Sequence, residues 1–116
     1  MCDCDNEPPS AYWETRPKAK KRHKCDECRG WIEPGEVYLA VRGVWEGEPQ
    51  SFKHCPDCLE LIAWAKEKSE CLCFSFGNVH QDIIDDADYS GDEAYEAEAL
   101  ARIKGIRSKR RDPVAA

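Results

Sequence analysis

The chain has 116 residues, a formal net charge of −6 at pH 7 and charged side chains at 34% of its positions. A chain of this length buries one modest core, and a mean hydropathy of −0.73 makes that core thin, so we expect one small domain that metal ions stabilise. Acidity of this order argues against a protein that coats nucleic acid without specificity, and no apolar run approaches the roughly 20 residues of a membrane span.

The first predicted segment is an N-terminal arm, residues 1–24, and we expect its residues 1–15 to be mostly extended. It begins with acidic residues and lacks the apolar run of a secretion signal, which predicts a cytoplasmic, reducing location. Six basic side chains close the arm and lead directly into the next cysteine: Arg16, Lys18, Lys20, Lys21, Arg22 and Lys24.

The second segment, residues 25–69, is predicted to form a cysteine turn, a β-hairpin and a helix. Residues 37–42 alternate as in a strand, residues 43–50 carry turn residues, and residues 51–54 return as a shorter strand. Pro56, directly after Cys55, favours the start of a helix. The spacing of four apolar side chains predicts the buried face of that helix: Cys58, Leu61, Ile62 and Ala65.

Two further segments follow. Residues 70–90 hold a second group of cysteine and histidine residues and a short predicted helix with four inward side chains: Val79, Ile83, Ile84 and Ala87. Residues 91–116 form a charged tail, in which Asp92 favours the start of another helix. The apolar face predicted for this last helix is narrow, so we expect a helix that is marginal or depends on a partner. It consists of Leu100, Ile103 and Ile106, with Tyr95 nearby.

Two Cys-x-x-Cys motifs are the most informative feature of the chain, and they contain Cys25 and Cys28, then Cys55 and Cys58. A structural zinc ion binds four deprotonated ligands in a tetrahedron, and each motif presents two thiolates from one tight turn. The second motif lies at a predicted helix N-terminus, where the helix dipole favours the thiolate. A cysteine knuckle, a hairpin and a Cys-x-x-Cys that enters a helix follow one another as in a treble-clef zinc finger. We therefore predict a small, metal-stabilised α+β fold of this kind, with a helical, charged C-terminal extension and one zinc ion.

Three other interpretations of these cysteines compete with the zinc site. Disulfides need an oxidising compartment that nothing else in the sequence supports. A thioredoxin-like redox site needs a βαβ framework, and only a hairpin is predicted before Cys55. A catalytic zinc keeps an open coordination position, and no histidine here is followed two residues on by glutamate, as in the zinc deaminases. We interpret His54 as a pendant side chain of the second strand.

The remaining cysteines predict a second zinc site that joins the two ends of the chain. Partly exposed, unpaired thiols would be open to oxidation, and a second metal ion removes that vulnerability. Four of five candidate ligands would form it: Cys2, Cys4, Cys71, Cys73 and His80. The alternative is that Cys2 has no ligand role and that Cys71 or Cys73 belongs to the core.

Several segments carry a resemblance to a known family. They are CDCD at 2–5, EPP at 7–9, KKRHKCDEC at 20–28, IEPGEVY at 32–38, GVWEG at 43–47, SFKHC at 51–55 and GNVH at 77–80. In them the chain resembles a family of small, uncharacterised treble-clef proteins encoded by bacteriophages and prophages. The resemblance covers about residues 2–86 and leaves out the charged tail. It implies the cytoplasm of a bacterial host and a second cluster around Cys4 and region 71–80, but no reaction.

These observations predict a non-enzymatic zinc-binding module that acts as an adaptor or inhibitor on a host or phage macromolecule, with no small-molecule substrate. The eight acids in region 82–98 would dock on a basic partner or imitate nucleic acid. Exposed aromatic side chains would anchor the contact, and the candidates are Tyr12, Trp13 and Trp45.

Two alternatives remain. The basic run in region 16–24 would instead contact DNA, and the tail in region 107–111 would supply further phosphate contacts. A nuclease of the His-Asn-His type is a third interpretation, but the predicted helix after Cys58 lacks the histidine that would bind its metal ion.

Overall fold

The computed structural model describes residues 9–69 and 72–111. In this part of the chain, two short strands and a three-stranded sheet precede three helices. The elements are β1 (Ala11–Thr15), β2 (His23–Lys24), β3 (Trp31–Ile32), β4 (Leu39–Trp45), β5 (Glu48–His54), α1 (Pro56–Lys68), α2 (Val79–Ser90) and α3 (Glu93–Lys109). The fold is a small α+β arrangement, as predicted. None of these helices is long and apolar enough to span a bilayer.

The predicted hairpin is present, but its strands are longer and its turn is tighter than the sequence indicated. β4 and β5 pair antiparallel through a two-residue turn at Glu46 and Gly47, whose φ angles are 51° and 79°. Such turns need two left-handed residues, because their twist then matches that of the strands. Gly43, which we predicted to lie in the turn, lies inside β4, and the Trp45 ring would be 2.6 Å from a Cβ at this position.

The N-terminal arm contributes a strand that the sequence did not indicate. β1 pairs antiparallel with β4, from Ala11 opposite Val44 to Thr15 opposite Ala40, so the sheet order is β1-β4-β5. The arm then runs beside the loop before β4, where the backbone N–H of Ala19 donates to the carbonyl of Glu36 at 2.8 Å. This contact places the basic run next to the cysteine turn.

The first two helices bury the faces that periodicity predicted. α1 buries Cys58, Leu61, Ile62 and Ala65. α2 buries Val79, His80, Ile83 and Ala87, while Ile84 is only partly buried. Since both helices turn these faces to the same core, the second segment and the third segment pack together.

α3 is an integral part of this core, which corrects the expectation of a marginal tail. The Asp92 carboxylate caps the helix by accepting hydrogen bonds from two backbone N–H groups. The buried side chains are Tyr95, Ala99 and Ile103, which recur every four residues, whereas Leu100 is 47% exposed. The predicted face was wrong at Leu100 because a small residue, Ala99, occupies the contact with the other helices.

Two clusters of buried side chains result. One joins the three helices, and the other surrounds the four cysteines of the predicted zinc site with Ala19, Ile32 and Tyr38. Ile106 of α3 packs against both clusters. The cysteine site is therefore continuous with the helical core.

Candidate metal centre

The two Cys-x-x-Cys motifs meet in one buried cluster. Cys25 and Cys28 lie on the turn between β2 and β3, Cys55 directly follows β5, and Cys58 is in the first turn of α1. The four Sγ atoms lie within 4.8 Å of one another, with 3.8 Å between Cys25 and Cys58 and 3.9 Å between Cys28 and Cys55. Zn–S bonds of about 2.3 Å in a tetrahedron would place the sulfurs about 3.8 Å apart. The cluster therefore fits one metal ion such as zinc.

Backbone N–H groups surround the sulfurs. The Sγ of Cys25 accepts from the N–H of Glu27 at 3.4 Å and from that of Cys55 at 3.3 Å. The Sγ of Cys28 accepts from Gly30, and the Sγ of Cys55 accepts from Cys58, each at 3.4 Å. These donors stabilise thiolates. All four cysteines are buried, so protein groups rather than water would surround the metal ion.

The close approach of the four thiols favours the binding of a cation. Hydrogen bonds with Cys28, Cys55 and Cys58 hold the pKa of the Cys25 thiol well below its ordinary value. The contacts with Cys25 in turn raise the pKa of Cys55 and of Cys58, because neighbouring thiolates repel one another. A divalent cation removes that repulsion and allows all four groups to bind as thiolates.

His80 of α2 links the cluster to α3. Its Nε2 lies 3.3 Å from the Sγ of Cys58, and its Nδ1 accepts a hydrogen bond from the Nε of Arg107 at 3.2 Å. Burial, followed by the charge of Arg107, lowers the pKa of the imidazole. Because Nδ1 accepts from Arg107, the geometry assigns the ring proton to Nε2, from which it donates to the Sγ of Cys58.

Glu27 links the cluster to α2. This residue lies between the two cysteines of the first motif, and its side chain is fully buried. Its Oε2 accepts from the N–H of Gly77 at 2.7 Å, and its Oε1 accepts from the N–H of Val79 at 2.9 Å. Burial alone would raise the pKa of Glu27, but the contact with His54 and these two hydrogen bonds lower it. A carboxylate thus caps the N-terminus of α2.

His54 is a buried part of this arrangement, not a pendant side chain. It is 1% exposed, and its Nε2 lies 2.7 Å from the Oε2 of Glu27. The two atoms lie at ion-pair distance, and within the described residues Nδ1 has no hydrogen-bond partner. Its ring packs against Phe76, with 5.4 Å between centroids.

Arg110, directly after α3, binds to residues of β3, of the loop before β4 and of α1. Its guanidinium donates twice to Glu36, at 2.7 and 2.9 Å, and once each to Asp57 and to the carbonyl of Trp31. Its backbone carbonyl accepts from the N–H of Trp31 at 3.0 Å. The side chain is only 4% exposed. The sequence did not single out Glu27, and it indicated Arg107 and Arg110 only as part of a basic tail, because local periodicity does not indicate partners that lie 27 or more residues away.

The structure shows no second metal site in the described ranges. Cys2, Cys4 and Cys71 lie outside them. Cys73, in the loop before α2, is disulfide-bonded. Both ring nitrogens of His80 are engaged at the first cluster, with Cys58 and Arg107, so the prediction of His80 as a ligand of a separate site needs correction.

The predicted contact residues are distributed over several surfaces. The side chains of the basic run are exposed, but Arg16 lines a cleft between the sheet and α1, away from the cysteine turn. Trp13 is 61% exposed on the outer face of the sheet, opposite Arg42. Tyr12 and Trp45 belong to an aromatic cluster on the inner face, where both rings pack against Phe76. Of the three aromatic residues, Trp13 is therefore the most accessible.

No protein-family model matches this chain, and no curated protein or solved structure is significantly similar to it. The resemblance to small phage-encoded proteins stays a prediction. The arguments for function consequently depend on the geometry alone.

Proposed function

We propose that this protein is a non-enzymatic interaction module of the treble-clef type, stabilised by one zinc ion, that acts as an adaptor or inhibitor on a macromolecule. The observation that carries the proposal is the closed cysteine cluster. Four buried thiolates complete a tetrahedral coordination shell, whereas a catalytic zinc ion keeps one position for water or substrate. A metal ion held in this way contributes to folding, and the surfaces that it organises contribute to binding.

Two features support a contact with a protein partner. Trp13 offers a large exposed aromatic ring on the open face of the sheet, and such rings are enriched at the centres of interfaces. α2 carries four acids, and the first turn of α3 carries two more. An acidic surface of this kind suits a basic partner.

The proposal is tested by counting metal ions and by capture from a bacterial lysate. Native mass spectrometry of the intact protein should detect at least one zinc ion, and a second ion would identify the second predicted site. A specific captured protein should disappear with Trp13→Ala and persist with Val37→Ala, which shortens an apolar side chain that is 52% exposed in the loop before β4, outside α2 and α3. A protein without zinc, or the same captured proteins in both variants, would contradict the proposal.

Nucleic-acid binding is a second candidate function, and one observation favours it. The basic run of the arm and the basic end of α3 lie far apart in the sequence, yet they meet beside Trp31. A basic surface on a rigid module is the electrostatic footprint of a protein that contacts phosphates.

A further inference from the structure

A cleft separates the cysteine turn from the end of α3. It has a volume of about 560 Å³ and is lined by Arg22, Trp31, Glu33, Glu36, Ser108, Lys109, Arg110 and Arg111. The hydrogen bond from the N–H of Trp31 to the carbonyl of Arg110 fixes its two walls relative to each other. We call this surface, together with the neighbouring Lys24, the basic cleft.

The Trp31 ring holds two cations at the edge of the cleft. The guanidinium carbon of Arg22 lies 4.2 Å from the ring centroid, and the ammonium nitrogen of Lys24 lies 4.4 Å from it. Cation–π contacts of this length attract the charged groups to the ring and restrict their positions. Less side-chain freedom is then lost when an anion binds.

The carboxylates in and around the cleft already have cationic partners. Glu33 pairs with Arg22 at 2.9 Å, Glu36 pairs with Arg110 at 2.7 Å, and Asp57 accepts from both Lys109 and Arg110. Among the described residues, five exposed cations of region 18–24 and of the cleft have no carboxylate partner within ion-pair distance. They are Lys18, Lys20, Lys21, Lys24 and Arg111.

We infer that the basic cleft and the adjoining region 18–24 bind the phosphodiester backbone of a nucleic acid and read charge rather than base sequence. This inference rests on the second candidate function. A duplex presents one negative charge about every 1.7 Å along its axis, a regular density that suits a row of unpaired cations. Glu93 and Glu96, in the first turn of α3, lie at the opposite end of this 17-residue helix from the cleft, about 20–25 Å away, and Asp86 of α2 lies beside Tyr95 at that same end. The negative net charge is therefore compatible with a local basic contact.

Fluorescence anisotropy of the zinc-loaded full-length protein with a labelled 20-base-pair DNA duplex tests the inference. We expect binding at low salt, with an affinity that falls steeply as salt rises. The variant Lys24→Gln with Arg111→Gln should reduce the steepness of the salt dependence by about 1.5–2 in the log–log slope, since each lost phosphate contact removes about 0.9. The matched control is Arg42→Gln with Lys68→Gln, which removes the same charge from the sheet and from α1 and should bind like the unmodified protein.

The following results would contradict nucleic-acid binding at the basic cleft. Absence of binding at low salt, or equal losses in the cleft variant and the control, excludes a specific backbone contact at this position. Displacement of the DNA by a poly-glutamate peptide of equal charge, at equal or lower concentration, would assign the cleft to an acidic protein segment instead. A zinc count of one without DNA binding would leave the zinc-binding module intact, whereas a zinc count of zero would contradict the module itself.

Discussion

The carboxylate of Glu27, placed between two metal-binding cysteines, accepts a hydrogen bond of 2.9 Å from the N–H of Val79, the first residue of α2. The same side chain accepts from Gly77, so two backbone donors at a helix start depend on one residue of the cysteine turn. The turn that binds the metal ion therefore also positions the helical layer.

Glu27→Gln should lower the free energy of unfolding by about 1–3 kcal/mol. An amide has a single oxygen, so one of the two backbone N–H groups would lose its acceptor in a buried site. Chemical denaturation of the zinc-loaded variant measures this loss. Glu60→Gln, the same change at an exposed position of α1, should stay within about 0.5 kcal/mol of the unmodified protein. Equal stability of the two variants would contradict the proposed role of Glu27.

Removal of the metal ion should unfold the cysteine turn and release α2 and α3 as well. Zinc binding contributes on the order of 10–16 kcal/mol in such small domains, which is more than the remaining core supplies. Cys28→Ser, Cys58→Ser or a strong chelator should each reduce the helical signal in circular dichroism, and added zinc should restore it only after chelation. A variant of either cysteine with a native-like melting curve would argue against a structural metal site.

Gly30→Ala should detach α3 from the cysteine turn. A Cβ at this position would overlap the Cβ of Arg110 and lie 2.7 Å from its backbone oxygen, so the backbone must move. Gly105→Ala is the matched control, because an added Cβ there meets nothing within 4 Å and favours the helix by about 0.5–1 kcal/mol. Thermal melts should show the first variant destabilised and the second slightly stabilised.

His80→Phe should weaken zinc binding by about 10- to 100-fold. The phenyl ring keeps the approximate shape of the imidazole but lacks the N–H that donates a hydrogen bond to the Sγ of Cys58. Hydrogen bonds that support a metal ligand in this way affect metal affinity by this factor. Competition with a coloured chelator measures the change. Arg107→Gln should have a smaller effect in the same direction, and Arg102→Gln, elsewhere on α3, should have none.

The contact between Glu36 and Arg110 should make stability depend on pH. Arg110 lowers the pKa of Glu36 from an ordinary value of 4.5 to about 2. Because the folded value is the lower one, the stabilisation, about 1–3 kcal/mol after allowance for partial exposure, is complete above pH 5 and declines as the pH falls towards 2. The difference in stability between the unmodified protein and Glu36→Gln should therefore shrink below about pH 4.5. Both proteins share the same metal site, so acid release of zinc affects them alike.

The cysteine cluster and the hairpin could be predicted because their signals are local. Two Cys-x-x-Cys motifs are each closed by one turn, and the alternation of Val37, Leu39 and Val41 marks a strand irrespective of the rest of the fold. The face of α1 follows from the same periodicity. These features could be predicted without knowing which distant residues pack against them.

The contacts of α3 could not be predicted, because their partners lie far away in the sequence. Its apolar positions are few, and Leu100 was a better candidate for burial than Ala99 by hydrophobicity alone. The helix is held by Arg110 and by small side chains, whose partners come from the cysteine turn and α1. The sequence around Arg110 is the same whether this side chain is exposed in a basic tail or buried in an ion pair, and only the fold distinguishes the two cases.

Ile106 packs against the cysteine cluster and against the helical core, and this has a consequence for the minimal folding unit. The cysteine spacing alone suggests a self-sufficient fragment that ends with α1. Such a fragment would lack α2 and α3 and would expose apolar side chains of α1, among them Leu61 and Ile62, on a surface that they now cover. The shortest version that keeps both cores closed extends through Arg110, so we expect almost the whole described length to unfold as one cooperative unit.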